Sequence, residues 1–289
     1  MEDSKPKKGG KPIEEYVVSE LPFYLPTGEE IAIFKAAYAN KIPFAAIGPT
    51  GCGKTRFIHR MSYDLNQKEG TQLPIFFVTC HEDLTATDLL GRDRITGDYL
   101  PGILPRWAET GGILYLDEVV EARPDLATLL HPMMEPARRV FYNERTGKVV
   151  ELNPRCMLTM SWNPGYQNIT KRLKVSTKQR LVTYRFDYAP ADKETEIVAR
   201  ESGVEKNVAS ALVELGKRIR GLKEGEYRTL QEGASTRLLI DAGILIKEGI
   251  DPVIACRNAI INCLTEDIDD VYKRLEKVLE ELTELFFPK

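Results

Sequence analysis

The chain has 289 residues, 43% hydrophobic and 29% charged, with a formal net charge of -3. That length fits one large domain plus a smaller one, and the apolar fraction is enough for a real core. The acidic balance excludes a general polyanion binder, and five cysteines without CxxC spacing beside three histidines argue against a disulfide framework or a zinc centre.

In chain order, Met1 to Pro12 is charged and lacks an apolar run, so residues 1–20 are expected to be a flexible lead-in and not a signal peptide. No uncharged apolar run reaches membrane-spanning length, and a reduced, cytoplasmic protein is expected. Short apolar runs then alternate with helical patterns, the signature of a parallel sheet with crossover helices. Strands are predicted at Phe44–Ile47, Ile75–Cys80, Gly112–Leu116, Cys156–Met160 and Val182–Phe186. Helices are predicted from Lys54 to about Leu65 and after Arg123, where Leu126, Leu129, Leu130 and Met133 share a face. Arg139–Asn143 and Lys148–Leu152 flank Glu144-Arg145-Thr146-Gly147 and read as a hairpin, and Arg92–Tyr99 is a weaker hairpin candidate. Beyond Pro190 the pattern is helical. Asp192 is a candidate N-cap for a helix to Ser202, with further helices near 204–220, 235–248, 251–264 and 266–286. The last of these puts Val271, Leu275, Val278, Leu279, Leu282 and Leu285 on one face, for packing in the small domain or for a partner. The division is therefore a lead-in over 1–20, an α/β domain over 21–190 and an all-α domain over 191–289.

The chemistry concentrates in a few motifs. Gly48-Pro49-Thr50-Gly51-Cys52-Gly53-Lys54-Thr55 is a complete Walker A, set between a strand and a helix. Its glycines let backbone N–H groups curl around phosphate oxygens, and the following helix adds its positive dipole end. Lys54 reaches the β- and γ-phosphates, and Thr55 places its hydroxyl on Mg²⁺. Ile113-Leu114-Tyr115-Leu116-Asp117-Glu118 fits Walker B. Asp117 holds Mg²⁺ through its water shell and Glu118 polarises the attacking water, against the plainer reading of a strand ending in two solvated acids. Asn163, before Pro164, either orients water near the γ-phosphate or is a turn residue. Arg180, just before the fifth strand, is either a finger reaching a neighbouring subunit's nucleotide or a surface arginine, and Arg138, Arg139 and Arg172 compete for the role. Arg237, after Ser235-Thr236, either contacts nucleotide or is an exposed residue of a capped helix. The polar stretch His81–Arg92 either faces a substrate or pore, or is a surface helix capped at Thr85 or Thr87.

Together these residues resemble the AAA+ ATPases of the MoxR group, and within it the CbbQ/NirQ/NorQ branch. Beyond the Walker motifs, the likeness is carried by Cys80-His81-Glu82-Asp83 through Gly91, Tyr115-Leu116-Asp117-Glu118-Val119-Val120-Glu121-Ala122-Arg123, Leu130-His131-Pro132, Trp162-Asn163-Pro164-Gly165 and Ser176 to Arg180. It runs from about Leu21 to the C-terminus and is strongest between Ala46 and Tyr188. The resemblance implies an αβα P-loop domain with strand order 5-1-4-3-2 and a helical lid. It also implies a ring, usually hexameric, with ATP and Mg²⁺ sites between subunits. It makes Asn163 sensor 1, Arg180 the arginine finger and Arg237 sensor 2. It implies a chaperone or activase working with a von Willebrand factor A domain adaptor on a client such as Rubisco or nitric oxide reductase. Arg92–Trp107 matches the branch only loosely, and the lead-in is not a family feature. Two rivals are a nucleic-acid-directed motor, against which the net acidity argues, and a nucleotide-gated scaffold like a gas-vesicle relative, against which the intact Lys54, Asp117 and Glu118 argue.

Overall fold

The computed structural model of the protein describes residues 13–164, 173–224 and 232–264, and the single positions 273, 277 and 281. The described chain falls into two compact units. One holds the residues to Ile47 together with Lys54–Arg185, and the other holds Gly48–Gly53 together with the chain from Phe186 onward. The expected helix over 266–286 lies outside the described residues except for Lys273, Lys277 and Glu281, which are helical, and Arg172 and Gly165 also lie outside them.

The first unit is a six-stranded sheet. In chain order its strands are β1 (Ile13–Tyr16), β2 (Phe44–Ile47), β3 (Ile75–Thr79), β6 (Gly112–Asp117), β9 (Cys156–Trp162) and β10 (Val182–Arg185). The order across the sheet is β1-β3-β6-β9-β2-β10. Five strands are parallel, in the 5-1-4-3-2 order that the resemblance implies. The sixth corrects the lead-in: residues 13–16 form an edge strand antiparallel to β3, with Ile13 opposite Val78 and Tyr16 opposite Ile75. Its two ends turn inward, and the Tyr16 hydroxyl meets His59 Nε2 at 2.6 Å.

Strands buried on both faces read as continuous apolar runs, which is why these segments were visible in sequence. On one face Ala45, Phe76, Val78, Leu114, Leu116, Leu158 and Met160 pack with Trp107 of α4 (Ile103–Thr110) and with Leu126 and Leu130 of α5 (Pro124–Met134). On the other, Phe44 packs with Phe34 of α1 (Glu30–Ala39) and Phe57 of α2 (Lys54–Glu69), ring centroids 5.2 to 5.8 Å apart. Both hairpins form. β4 (Gly91–Asp93) pairs with β5 (Tyr99–Pro101), and β7 (Val140–Asn143) pairs with β8 (Lys148–Glu151). The buried Asn143 side chain joins them by donating to the Tyr99 hydroxyl at 2.8 Å. The stretch after β3 contains α3 (Ala86–Leu90), and Thr85 caps it in a box with Asp88.

The second unit is helical: α7 (Ala191–Ser202), α8 (Lys206–Glu224), α9 (Thr236–Lys247) and α10 (Pro252–Cys256), the last continuing through a wide turn to Leu264. Val198, Leu212, Leu215, Ile219, Leu239, Cys256 and Ile260 form its core. Asp192 does not cap α7; the helix begins at Ala191, two residues earlier than that cap predicts, with Pro190 at the cap, so Asp192 sits in the first turn, where a carboxylate faces the positive end of the dipole. Among the described residues no helix is long and apolar enough to cross a membrane.

Candidate nucleotide site

In the sheet unit, the helix after the glycine-rich loop starts with Lys54 and Thr55, and Lys54 is buried. Strand β6, separated from β2 by β9, ends in Asp117, and the chain then turns sharply. Glu118 adopts a left-handed backbone, φ 52° and ψ 48°, which costs a non-glycine residue of order 1 kcal/mol or more. Ser161 of β9 supports that turn: its hydroxyl accepts from Glu118 N–H at 3.3 Å and donates to Asp117 Oδ1. Asn163, one residue past β9, is buried beside them.

The Glu118 carboxyl is the most unusual group in this cluster. Burial raises its pKa, and Asp117 raises it further, while Lys54 and the Asn163 backbone N–H pull it back. Its Oε2 is buried without a hydrogen-bond partner. An orphaned buried carboxylate oxygen is costly unless something polar occupies the space in front of it. Lys54, Thr55, Asp117, Glu118 and Asn163 are thus brought together.

Tyr115 was not singled out in the sequence. It lies two residues before Asp117, so it projects from the same face of β6, and it is fully buried. Its hydroxyl donates to Asp117 Oδ1 at 2.9 Å and lies 3.3 Å from Thr55 Oγ1. Burial pushes its phenol well above the ordinary range, and the Asp117 charge adds to that.

Arg180 is elsewhere in the same unit. It follows α6 (Val175–Lys178) and precedes Val182, which is in register with Phe44 at the start of β2. Asn163 follows Trp162, in register with Ile47 at the end of β2. At about 3.3 Å per residue the two lie roughly 15–20 Å apart along the strands, at opposite ends of the sheet. There Arg180 donates to Glu135 Oε1 and to the Ser176 carbonyl, both at 2.6 Å. Of its competitors, Arg139 is committed to structure, since its guanidinium donates to the carbonyls of Cys156, Asn153 and Pro154 at 2.7, 3.4 and 3.5 Å. Arg138 is exposed.

The rest of the loop belongs to the helical unit. The Thr50 hydroxyl donates to Glu232 at 3.0 Å, and the Tyr188 hydroxyl donates to the Thr50 carbonyl at 3.3 Å. Gly48 lies against Phe186, and a Cβ on Gly51 would stand 2.8 Å from the Ser235 side chain and 3.3 Å from Arg237 Cβ. Gly51 and Gly53 have φ of +69° and +98°, and Gly53 faces open space. That is a cradle that a side chain would fill, as phosphate binding by backbone N–H groups requires. Pro49 and Cys52 complete the loop at intermediate exposure, and Arg237 is exposed.

A parallel sheet whose central strand feeds a glycine loop and a lysine-led helix, with an Asp-Glu pair on the next strand but one and a helical C-terminal unit, defines a P-loop domain of the AAA type. Family models place it further. One described as AAA domain (dynein-related subfamily) matches residues 44–181, and one described as CbbQ/NirQ/NorQ C-terminal matches residues 194–282. The denitrification regulatory protein NirQ of Pseudomonas aeruginosa is 48% identical over 249 residues, covering 85% of this chain and 92% of the relative. Protein NorQ of Paracoccus denitrificans is 46% identical, covering 86% and 90%, and Protein CbbQ of Hydrogenophilus thermoluteolus is 46% identical, covering 88% and 93%. The chain belongs to the CbbQ/NirQ/NorQ family of MoxR-type AAA+ proteins.

Proposed function

We propose that this protein hydrolyses ATP at sites shared between identical subunits and uses the cycle to remodel a client enzyme. The observation that carries the proposal is the Glu118 carboxylate: buried, orphaned at Oε2, held by a left-handed turn, and next to Lys54 and Asn163. A carboxyl whose proton affinity is raised by burial is suited to take a proton from water. Lys54 balances phosphate charge, Gly51 and Gly53 leave room for it, and Asn163 orients the water that Glu118 activates. Thr55 and Asp117 would hold Mg²⁺, which when bound neutralises charge on the phosphate oxygens. Arg180 stands too far from its own Glu118 to act there, so it serves the neighbour's nucleotide as a finger, after leaving Glu135. Arg237 reads the nucleotide from the helical unit. We assign a homo-oligomeric ring, a hexamer, as the assembly that supplies every site with such a neighbour.

The P. aeruginosa relative is named a denitrification regulatory protein, which supports a regulatory role. We assign a client of the nitric oxide reductase or Rubisco class, reached through a von Willebrand factor A domain adaptor. The test is steady-state phosphate release against protein concentration, with mass photometry in Mg·ATP, for wild type, Glu118→Gln and Arg180→Ala. Specific activity that rises as rings form is expected, with Glu118→Gln binding ATP but turning over at least ~100-fold more slowly. Arg180→Ala is expected to assemble and be inactive. Flat specific activity with a normal Arg180→Ala overturns the shared site, and normal turnover by Glu118→Gln overturns the assignment of the base.

A further inference from the structure

The hydroxyl of Tyr115 touches both groups assigned to Mg²⁺, and the proton count decides what it does there. A phenol carries one proton, and an ionised carboxylate can only accept. At 2.9 Å from Asp117 Oδ1, the phenol proton belongs to that contact. The Tyr115 oxygen is then left as an acceptor; Ser161 also lies against it but has given its single proton to Asp117, so the donor left to it is the Thr55 hydroxyl at 3.3 Å. Thr55 therefore gives its proton to Tyr115, which turns the lone pairs of Thr55 Oγ1 away from the strand. On the carboxylate, Tyr115 and Ser161 both donate to Oδ1, so neither occupies Oδ2. Ser161 in turn accepts from Glu118 N–H. One directional chain runs from Thr55 through Tyr115 to Asp117, and a second runs from Glu118 N–H through Ser161 to the same oxygen.

The geometry points to Tyr115 as a positioning residue that orients the Thr55 oxygen and the Asp117 carboxylate together for Mg²⁺, an inference that rests on the nucleotide-hydrolysis reading above. In a simpler arrangement the threonine would donate directly to the aspartate. Here a phenol is inserted between them, so the two groups assigned to Mg²⁺ are set as a pair by a third, fully buried residue. The ring has its own packing, edge to face with Phe77 at 5.2 Å, and is fully buried. Removing only the oxygen therefore leaves the volume of the core almost unchanged.

The experiment compares wild type, Tyr115→Phe and the packing control Phe77→Leu. Binding of a fluorescent ATP analogue is measured in EDTA and across a Mg²⁺ titration, together with phosphate release across the same titration and a thermal melt. For Tyr115→Phe, affinity in EDTA should stay within twofold of wild type. The Mg²⁺ concentration for half-maximal binding and turnover should rise about tenfold, the effect of losing one hydrogen bond to a charged group. Turnover at saturating Mg²⁺ should recover to within a few-fold. Phe77→Leu, which disturbs the ring but not the oxygen, should keep the wild-type Mg²⁺ midpoint even if its melting temperature falls. A wild-type Mg²⁺ midpoint in Tyr115→Phe overturns the positioning role while leaving the ATPase reading intact. A shift of equal size in Phe77→Leu overturns it in favour of packing. A wild-type protein that neither binds nor hydrolyses ATP overturns both readings.

Discussion

The most demanding prediction concerns a buried ion pair in the helical unit. Glu194 has a side chain only 2% exposed, and Arg220 grips it with both Nη atoms, at 2.7 and 2.8 Å. Thr236 adds a hydroxyl at 2.6 Å, and Arg220 Nε donates to the Ala234 carbonyl at 2.7 Å. Replacing Arg220 by Met keeps most of the aliphatic stem but leaves Glu194 as an uncompensated charge, a change that costs about 3–5 kcal/mol. The lost donor to Ala234 belongs to the same network, so its cost does not simply add. Against a total stability of about 5–15 kcal/mol, Arg220→Met should shift urea unfolding of the helices, followed by circular dichroism, to clearly lower denaturant. Adding Glu194→Gln removes the stranded charge, so the double variant should recover much of the loss, with a coupling of at least ~2 kcal/mol in the cycle. The guanidinium also lies 3.8 Å over the Tyr188 ring, whose hydroxyl reaches the Thr50 carbonyl, so ATP affinity should fall in Arg220→Met and stay low in the double variant. A cost below about 1 kcal/mol for Arg220→Met, or a coupling near zero, refutes the reasoning.

Four further predictions concern the site itself. Burial raises the Glu118 pKa, so the acid limb of the turnover profile should lie above the ordinary glutamate range and disappear with Glu118→Gln; a limb within the ordinary range would contradict it. A carboxyl with a raised folded pKa favours the folded state at low pH and loses that contribution as pH rises through the folded value. Glu118→Gln should therefore be more stable than wild type at neutral pH, by roughly 1 kcal/mol, with the gain shrinking in acid; a less stable variant at neutral pH counts against an orphaned carboxylate. Gly53→Ala meets no atom but must hold φ +98°, so it should abolish ATP binding with only the small fall in melting temperature that the backbone strain sets. Gly51→Ala has the same backbone problem and also strikes Ser235, so it should lower the melting temperature as well; equal melting curves for the two would argue against that contact.

Much of the sheet was legible because buried parallel strands are unbroken apolar runs and the Walker motifs mark which strand is which. β1 was not legible, since Ile13-Glu14-Glu15-Tyr16 is four residues long, half acidic, and follows a charged stretch. Its strand character comes from pairing with β3 and not from its own composition. Tyr115 was hidden for the opposite reason: an aromatic residue in an apolar run reads as core, and it is core. Only its parity with Asp117 could have flagged it, because residues two apart on a strand share a face. The start of α7 was misplaced because Asp192 carries a capping side chain, while Pro190 opens the helix through its fixed φ.

The candidate arginines show what spacing leaves open and what topology narrows. Arg138, Arg139 and Arg180 are the same residue type and lie within about forty residues of one another in the chain. In the fold, Arg139 takes a backbone φ of 46° and gives its guanidinium to three carbonyls around the start of β9, a role that needs no nucleotide. Arg180 is held by one carboxylate and one carbonyl on a short loop, and His131 braces that loop through Thr177 at 2.8 Å. The parallel register then places Arg180 at the end of the strands opposite Glu118. No side chain spans the roughly 15–20 Å between them. If an arginine must meet the charge that builds up beside Glu118, Arg180 is placed to do so from a neighbouring subunit and not within its own.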